Sequence, residues 1–93
     1  MDPSIIKAAS QGDIKAFKKL FEYYTPRMRP VAMLYARTVF EADDILQEGF
    51  LRVYTHLRTY KHEGSFEGWV RRIIVNTALN MHKARKNNRW AVV

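Results

Sequence analysis

The chain has 93 residues, a formal net charge of +7 and no cysteine, which fits one domain with its own core and excludes a disulfide framework and thiolate metal sites. No apolar run approaches the roughly 20 residues that span a bilayer, and the first residues, Met1–Ser4, lack the pattern of a signal peptide. We therefore expect a single soluble domain in the cytoplasm, ordered over about residues 5–90 and without a membrane contact.

Helical periodicity dominates the sequence, which contains only four glycines and three prolines. It predicts an all-α domain, a compact helical bundle with four main helices. The first helix is expected from Ser4 to about Ser10, where Gln11-Gly12 ends it. Asp13 is placed to cap the second helix through its side-chain oxygen. The predicted core stripe of that second helix consists of Ile14, Phe17, Phe21 and Tyr24.

Prolines interrupt the periodic pattern after Tyr24. Thr25-Pro26 is typical of an N-cap followed by the first helical residue, so a new helix is expected to begin there. Pro30 should kink this helix or mark its start, because proline has no N–H to donate. The predicted apolar face of this segment consists of Met28, Val31, Leu34 and Tyr35.

The next long helix is predicted from about Glu41 to Tyr60. Its core stripe consists of Leu46, Phe50, Val53, Leu57 and Tyr60. The opposite side carries Asp44, Gln47, Glu48 and Leu51. A solvated face is one explanation, but Leu51, framed by acids and an amide, favours a protein interface. A metal site is disfavoured, because Asp43 and Asp44 point about 100° apart and no histidine joins them at ligand spacing.

The last helix is expected to begin after a polar loop, Lys61–Gly64, with Ser65 as its cap, and to continue to about Lys86. Its core stripe consists of Phe66, Val70, Ile73, Ile74, Thr77 and Met81. A second stripe, free of acids, consists of Trp69, Arg72, Asn76, Asn80, Lys83 and Asn87. It suits a nucleic-acid strand, because cations bind phosphates, amides form hydrogen bonds with the edges of bases, and aromatic rings stack on bases. An ordinary polar flank with Trp69 in the core is the alternative.

The loop before this helix lies between two aromatic residues, Tyr60 and Phe66. Rings beside short polar groups are what a flipped base requires, although a plain helix connector is the alternative. Charge is also segregated: four acids and no base lie from Glu41 to Glu48, whereas six bases and no acid follow Glu67. Composition alone fits a merely soluble basic protein equally well, but the segregation predicts two different partners.

These motifs resemble a known family. The run Ala42–Phe50 (ADDILQEGF) resembles region 2.2 of extracytoplasmic-function (ECF) sigma factors, and the run Gly64–Ala78 (GSFEGWVRRIIVNTA) resembles their regions 2.3 and 2.4. Gly12–Phe17 is similar to their opening helix pair. The whole of residues 1–93 is thereby identified as a single sigma region 2 domain, a helical fold that binds core RNA polymerase and promoter DNA.

The resemblance implies roles for the two marked surfaces. In this family the region 2.2 helix docks on the clamp helices of the polymerase β′ subunit, which implies the set Asp44, Gln47, Glu48, Leu51 and Tyr54. The region 2.3 loop captures a base flipped out of the non-template strand at the −10 element, and the region 2.4 helix binds the same strand. Together with the acid-free stripe, the expected DNA-binding set is Tyr60, Lys61, His62, Gly64, Ser65, Phe66, Trp69, Arg72, Asn76, Asn80 and Lys83.

The sequence departs from the family in two places. Many relatives have a Gly/Asn/Asp-rich turn where this chain has Thr38-Val39-Phe40. The family's −35-reading helix-turn-helix domain, region 4, has no counterpart in the chain, so an excised domain, or a protein cut during preparation, is expected. Anti-sigma inhibitors are common in the resembled family, which makes one a candidate partner.

Two other functions compete with transcription initiation. A double-stranded DNA regulator would need a recognition helix after a tight turn and a dimer face. An enzyme is disfavoured because the histidines have no nucleophile or metal partners at useful spacing; they are His56, His62 and His82. We therefore expect a protein that is not an enzyme and that holds neither cofactor nor metal.

Overall fold

The computed structural model of the protein describes the backbone of residues 1–91 and the side chains of residues 1–84. Four α-helices and no strand are present in these residues, which confirms the all-α prediction. The helices are α1 (Pro3–Ser10), α2 (Ile14–Met33), α3 (Val39–His56) and α4 (Phe66–Ala91). A short 3₁₀ turn, Leu57–Thr59, follows α3. None of the described helices is both long and apolar enough to cross a membrane.

Side-chain caps define where the helices begin. Asp13 accepts a hydrogen bond from the backbone of the first turn of α2, and Ser65 does the same for α4, as predicted. Asp2 caps α1, and the hydrogen bonds from Ser4 lower the pKa of its carboxyl group. Thr38 caps α3, so this helix begins at Val39 rather than at the predicted Glu41. The turn that lacks the family's usual residues therefore ends in an ordinary cap.

The prediction of a new helix at Thr25-Pro26 is wrong, because α2 continues through both Pro26 and Pro30. Each proline removes one backbone donor, which normally ends or bends a helix. The Thr25 hydroxyl donates to the Phe21 carbonyl at 2.6 Å, within the turn that precedes Pro26. Burial of one face holds the helix together across the prolines, and the buried residues are Leu20, Tyr24, Met28 and Val31.

The core stripe predicted for the start of α2 is partly wrong. Ile14 is 72% exposed and Phe21 is 38% exposed, whereas Tyr24 is buried and Phe17 packs at the margin of the core. The buried face in this part of α2 is instead formed by Ala16 and Leu20. Helix α2 therefore carries two neighbouring apolar stripes, of which only one faces the core.

The core stripes predicted for α3 and α4 are confirmed in most positions. Four members of the α3 stripe are buried, and Tyr60 is half-buried; the four are Leu46, Phe50, Val53 and Leu57. On α4, Phe66, Val70, Ile74 and Thr77 are buried, and Ile73 and Met81 pack at the margin. The buried Thr77 hydroxyl is hydrogen-bonded to the carbonyl of Ile73 at 2.7 Å, so its burial leaves no unpaired donor.

Helices α3 and α4 pack closely in antiparallel order. They approach closely at Gly49, where an added Cβ would overlap Cδ1 of the fully buried Ile74. Two ends differ from the prediction: α3 stops at His56, because a 3₁₀ turn takes over, and α4 runs to Ala91 rather than to about Lys86. Near the other end of the bundle, His82 Nε2 is hydrogen-bonded to the Tyr35 carbonyl at 2.6 Å, which ties α4 to the end of α2.

Candidate functional site

The loop that precedes α4 is irregular, with a bend at Gly64, and lies beside aromatic rings. His62 and Gly64 both adopt a positive φ, of 56° and 73°, the left-handed conformation that glycine takes most easily. The Tyr60 hydroxyl reaches the Gly64 carbonyl at 3.5 Å, across the loop. Residues 61–65 are all exposed. The polar groups of the loop are therefore accessible to a ligand.

The aromatic rings at the loop lie in contact with one another. The Tyr60 ring centroid lies 4.8 Å from that of His62, 5.2 Å from that of Phe66 and 4.9 Å from that of Trp69. Phe66 and Trp69 are in turn separated by 5.6 Å. Tyr60 and Trp69 are each half-buried, so one side of each ring packs inward. A base that enters the loop therefore meets a preformed aromatic wall.

The aromatic contacts continue from the loop onto α2. Phe66 lies 5.6 Å from Tyr24, and Tyr24 lies 4.9 Å from Tyr23. The Arg27 guanidinium covers the Tyr23 ring at 3.6 Å from its centroid. Burial, with the nearby negative charge of Glu67, raises the pKa of Tyr24. A row of rings thus extends from the loop, beneath the start of α4, to a cation on α2.

The acid-free stripe of α4 is exposed along its described length. Arg72, Asn76, Asn80 and Lys83 are exposed, and Trp69 is half-buried at the loop end of the stripe. At 1.5 Å per residue, Arg72 and Lys83 are about 17 Å apart along the helix. The predicted sixth member, Asn87, has its side chain outside the described residues. The structure thus places Trp69 in both the stripe and the aromatic wall.

The acid and amide face of α3 is exposed as well. Asp44, Gln47 and Glu48 point to solvent, and two apolar neighbours, Leu51 and Tyr54, are 62% and 47% exposed. Exposed apolar groups among polar ones are typical of a protein-binding surface. Glu48 forms an ion pair with Arg52 at 3.6 Å, whereas no ion pair among the described side chains involves Asp44. Asp44 is therefore the less neutralised carboxylate.

The two predicted surfaces meet along one groove, although they lie far apart in sequence. Asn80 of the α4 stripe and Asp44 of the α3 face line the same groove, of about 450 Å³. The antiparallel packing of α3 and α4 causes this approach. The full lining is Asp44, Gln47, Glu48, Leu51, Arg52, Asn80, Met81 and Ala84.

Sequence reasoning missed an apolar extension of the α3 face onto α2. The second apolar stripe of α2 forms one wall of a groove of about 290 Å³, whose lining is Phe17, Phe21, Gln47, Phe50, Leu51 and Tyr54. Two edge-to-face ring pairs join the walls: Phe17 lies 4.9 Å from Tyr54, and Phe21 lies 5.2 Å from Phe50. The signal was present, because α2 has more apolar positions than one core-facing stripe requires.

A second groove, between α2 and the start of α4, was also missed. It has a volume of about 500 Å³ and is lined by Arg27, Met28, Val31, Ser65, Glu67, Gly68 and Arg71. No motif in the sequence marks it, because its two arginines are 44 residues apart and meet only through helix packing. Among the described residues, no group of three or more acids or histidines is arranged to hold a metal ion.

Comparisons with known proteins agree on one family. Residues 20–88 match the Sigma-70 region 2 family. The chain is 37% identical over 81 residues to the ECF RNA polymerase sigma-E factor of Haemophilus influenzae, a match that covers 85% of this chain and 41% of that protein. It is 29% identical over 85 residues to the ECF RNA polymerase sigma factor SigM of Mycobacterium tuberculosis, covering 91% and 43%. The chain thus spans less than half the length of these relatives.

A solved structure shares the fold. It is the NMR structure of an engineered region 2 of sigmaE in complex with GTAAAA. The TM-score is 0.84 at 27% sequence identity, and the match covers 95% of this chain and 97% of that chain. The similarity therefore extends over nearly the whole chain.

Proposed function

The chain belongs to the Sigma-70 region 2 family, and from this premise we propose that it acts in transcription initiation as the −10-reading domain of an ECF sigma factor. It binds core RNA polymerase, recognises the promoter −10 element and captures the melted non-template strand. The family consists of transcription initiation factors rather than enzymes, so no catalytic residue is assigned. Its place of action is the cytoplasm, where polymerase and promoter meet.

One observation carries the DNA part of the proposal. The exposed, acid-free stripe of α4 ends at an aromatic wall beside an accessible polar loop. A similar fold, the engineered region 2 of sigmaE, has been solved in complex with GTAAAA. Double-stranded DNA would require a helix presented to the major groove, whereas this arrangement offers a stacking surface to an unpaired base.

The roles follow from the chemistry of each side chain. Arg72 and Lys83 neutralise backbone phosphates and position the strand, because a cation gives no information about base identity. Asn76 and Asn80 offer amide donors and acceptors to base edges, which allows discrimination between bases. A flipped base stacks on the aromatic wall, where each base contributes about 1–3 kcal/mol.

The polymerase part of the proposal assigns the α3 face to the β′ clamp helices. Its supporting features are the accessible carboxylate of Asp44 and the exposed apolar pair Leu51 and Tyr54. Acids attract basic side chains of a partner, and apolar groups at the centre supply most of the binding free energy. Gln47 and Glu48 complete the face. An anti-sigma factor that competes with polymerase is a further candidate partner for this surface.

A salt titration separates positioning from reading. The probe is fluorescent single-stranded GTAAAA, and the control is a shuffled strand of the same composition. Lys83→Ala should weaken binding to both strands and reduce the salt slope by about 0.7, the value for one phosphate contact on a single strand. Asn80→Ala should leave the salt slope unchanged but reduce the preference for GTAAAA over the shuffled strand, because it removes a neutral hydrogen-bonding group.

Three outcomes would contradict the proposal. Equal losses for both variants on every strand would remove the amides from base reading. No effect of either variant would mean that the α4 stripe is a solvated surface. Tighter binding to duplex DNA than to the single strand would favour a double-stranded DNA regulator instead. Adding core polymerase to each titration tests whether the complex binds the strand more tightly than the isolated domain.

A further inference from the structure

The groove between α2 and α4 contains two arginines on the opposite flank of α4 from the acid-free stripe. At 100° per residue, Arg71 and Asn76 point about 140° apart around the helix. Arg27 of α2 and Arg71 of α4 line this groove together, and both side chains are exposed. None of the ion pairs among the described side chains involves either of them. Two accessible arginines therefore line one groove to which no function has yet been assigned.

Arg27 is held in place by its own helix. Its Nη1 donates a hydrogen bond to the Tyr23 carbonyl at 2.7 Å, and its guanidinium covers the Tyr23 ring at 3.6 Å. This leaves further N–H donors of the planar group available, because a guanidinium carries five. A guanidinium ordered in this way loses less conformational entropy when it binds an anion.

The groove begins where the loop ends. Ser65 is the last loop residue, and it lines the groove beside Gly68. Beneath this boundary runs the aromatic row from Tyr60 through Phe66 and Tyr24 to Tyr23. The groove and the aromatic row therefore connect the loop to Arg27 around the start of α4.

We propose that this groove is a second phosphate-binding site, in which Arg27 and Arg71 hold the backbone of the same single strand after it has passed the loop. The inference rests on the proposed function, since it assumes that a strand occupies the α4 stripe and the loop. Guanidinium groups suit phosphate because their planar donors match its oxygens in pairs. Glu67, the one acid in the groove lining, opposes the strand and limits how tightly it is held.

The test compares GTAAAA with longer strands that carry an unpaired tail on the 5′ or the 3′ side. One of the two tails should increase affinity and steepen the salt dependence, whereas the other should not. Arg27→Gln and Arg71→Gln should each reduce the salt slope for that tailed strand by about 0.7. For each tenfold dilution of salt, the variant's affinity should therefore rise about fivefold less than that of the original chain. Neither substitution should change the binding of untailed GTAAAA.

Two further variants serve as controls. Lys15→Gln removes the same charge from an exposed position of α2, about 18 Å along the helix from Arg27, and should leave the tail effect intact. Glu67→Gln should increase affinity for the tailed strand, because it removes the opposing charge. Thermal unfolding of each variant shows whether the fold is retained, and Arg71→Gln keeps the test decisive if Arg27→Gln is unstable.

The outcomes distinguish the groove from the wider proposal. If untailed GTAAAA binds as proposed but neither tail adds affinity, or if the added affinity survives both arginine substitutions, the second phosphate site is refuted and the proposed function stands. If no strand binds and the α4 variants have no effect, both are refuted. If Lys15→Gln lowered affinity for the tailed strand as much as Arg27→Gln does, the tail effect would be explained by the general attraction of DNA to a basic protein, and the second phosphate site would be refuted.

Discussion

Substitution of Gly49 tests the close packing of α3 against α4. In Gly49→Ala the new Cβ would overlap Cδ1 of Ile74, so this fully buried side chain would have to shift against its neighbours in the core. Overpacking of a core typically costs about 1–3 kcal/mol. Replacing a glycine inside a helix with alanine raises the free energy of unfolding by about 1 kcal/mol through helix propensity. We therefore expect a net loss of roughly 0–2 kcal/mol, or up to about 16 °C in the melting temperature of a domain this size.

The cause of that loss is identified by a double-mutant cycle. Ile74→Val removes the overlapping Cδ1 and alone should cost about 0.5–1.5 kcal/mol. In the double variant the overlap no longer exists, so the loss should be smaller than the sum of the single losses by about 1 kcal/mol or more.

Thermal unfolding followed by circular dichroism measures all three variants. Gly68→Ala is the matched control, because its Cβ would lie 3.5 Å from the Ser65 Cβ, an ordinary contact, and it should be no less stable than the original chain. Additive losses in the double variant, or a Gly49→Ala protein as stable as Gly68→Ala, would refute this account of the packing.

Three further predictions concern the α3 face, the loop before α4 and the cap of α4. Asp44→Lys should weaken binding to core polymerase by about 2 kcal/mol or more and leave the melting temperature nearly unchanged. Glu48→Lys should weaken it less, because Arg52 already neutralises part of that charge. An unfolded variant, or one that binds polymerase normally, would contradict the assignment. Exchange of the loop Lys61–Ser65 for that of a relative should change which base is preferred at one −10 position, measured with a set of single-base probes; an unchanged preference would remove the loop from base reading. Ser65→Ala should lower stability by about 1 kcal/mol through loss of the α4 cap, measured by thermal unfolding, and no change would mean that the cap is dispensable.

The faces of α3 and the core stripe of α4 were predictable because each helix has one dominant apolar stripe. On α3 the stripe through Phe50 and Val53 is buried, and Leu51, the apolar residue outside it, is exposed as the interface hypothesis required. Helix period alone therefore separated the core from the surface. The assignment of that surface to a particular partner came from the resemblance rather than from periodicity.

Helix α2 was less predictable for two physical reasons. It has two adjacent apolar stripes, and periodicity cannot tell which one the other helices cover; the core took the stripe through Leu20 and left Ile14 and much of Phe21 outside. Local proline chemistry also predicted a break at Pro26, but the buried face on either side of that residue maintains the helix. Tertiary packing overrode a local preference in both cases.

The groove residues were beyond the reach of sequence reasoning. Arg27 and Arg71 belong to different helices and to no shared motif, so only the packing of α2 against α4 brings them together. The same holds for Asn80 and the α3 face. Long-range neighbours of this kind depend on helix-crossing geometry, which a single sequence does not specify.

Asn80, proposed to read the strand, and Asp44, proposed to bind polymerase, line one groove, so binding of either ligand there would affect the surroundings of the other. A protein bound to the α3 face would touch the flank of the helix that we propose reads the strand, so the two binding events would share side chains. In a closed thermodynamic cycle, if one ligand changes the affinity for the other by some factor, the second ligand changes the affinity for the first by the same factor. If polymerase orders Asn80 for the strand, the bound strand must in turn increase the affinity of the domain for polymerase. Dissociation from the −10 sequence then lowers that affinity again.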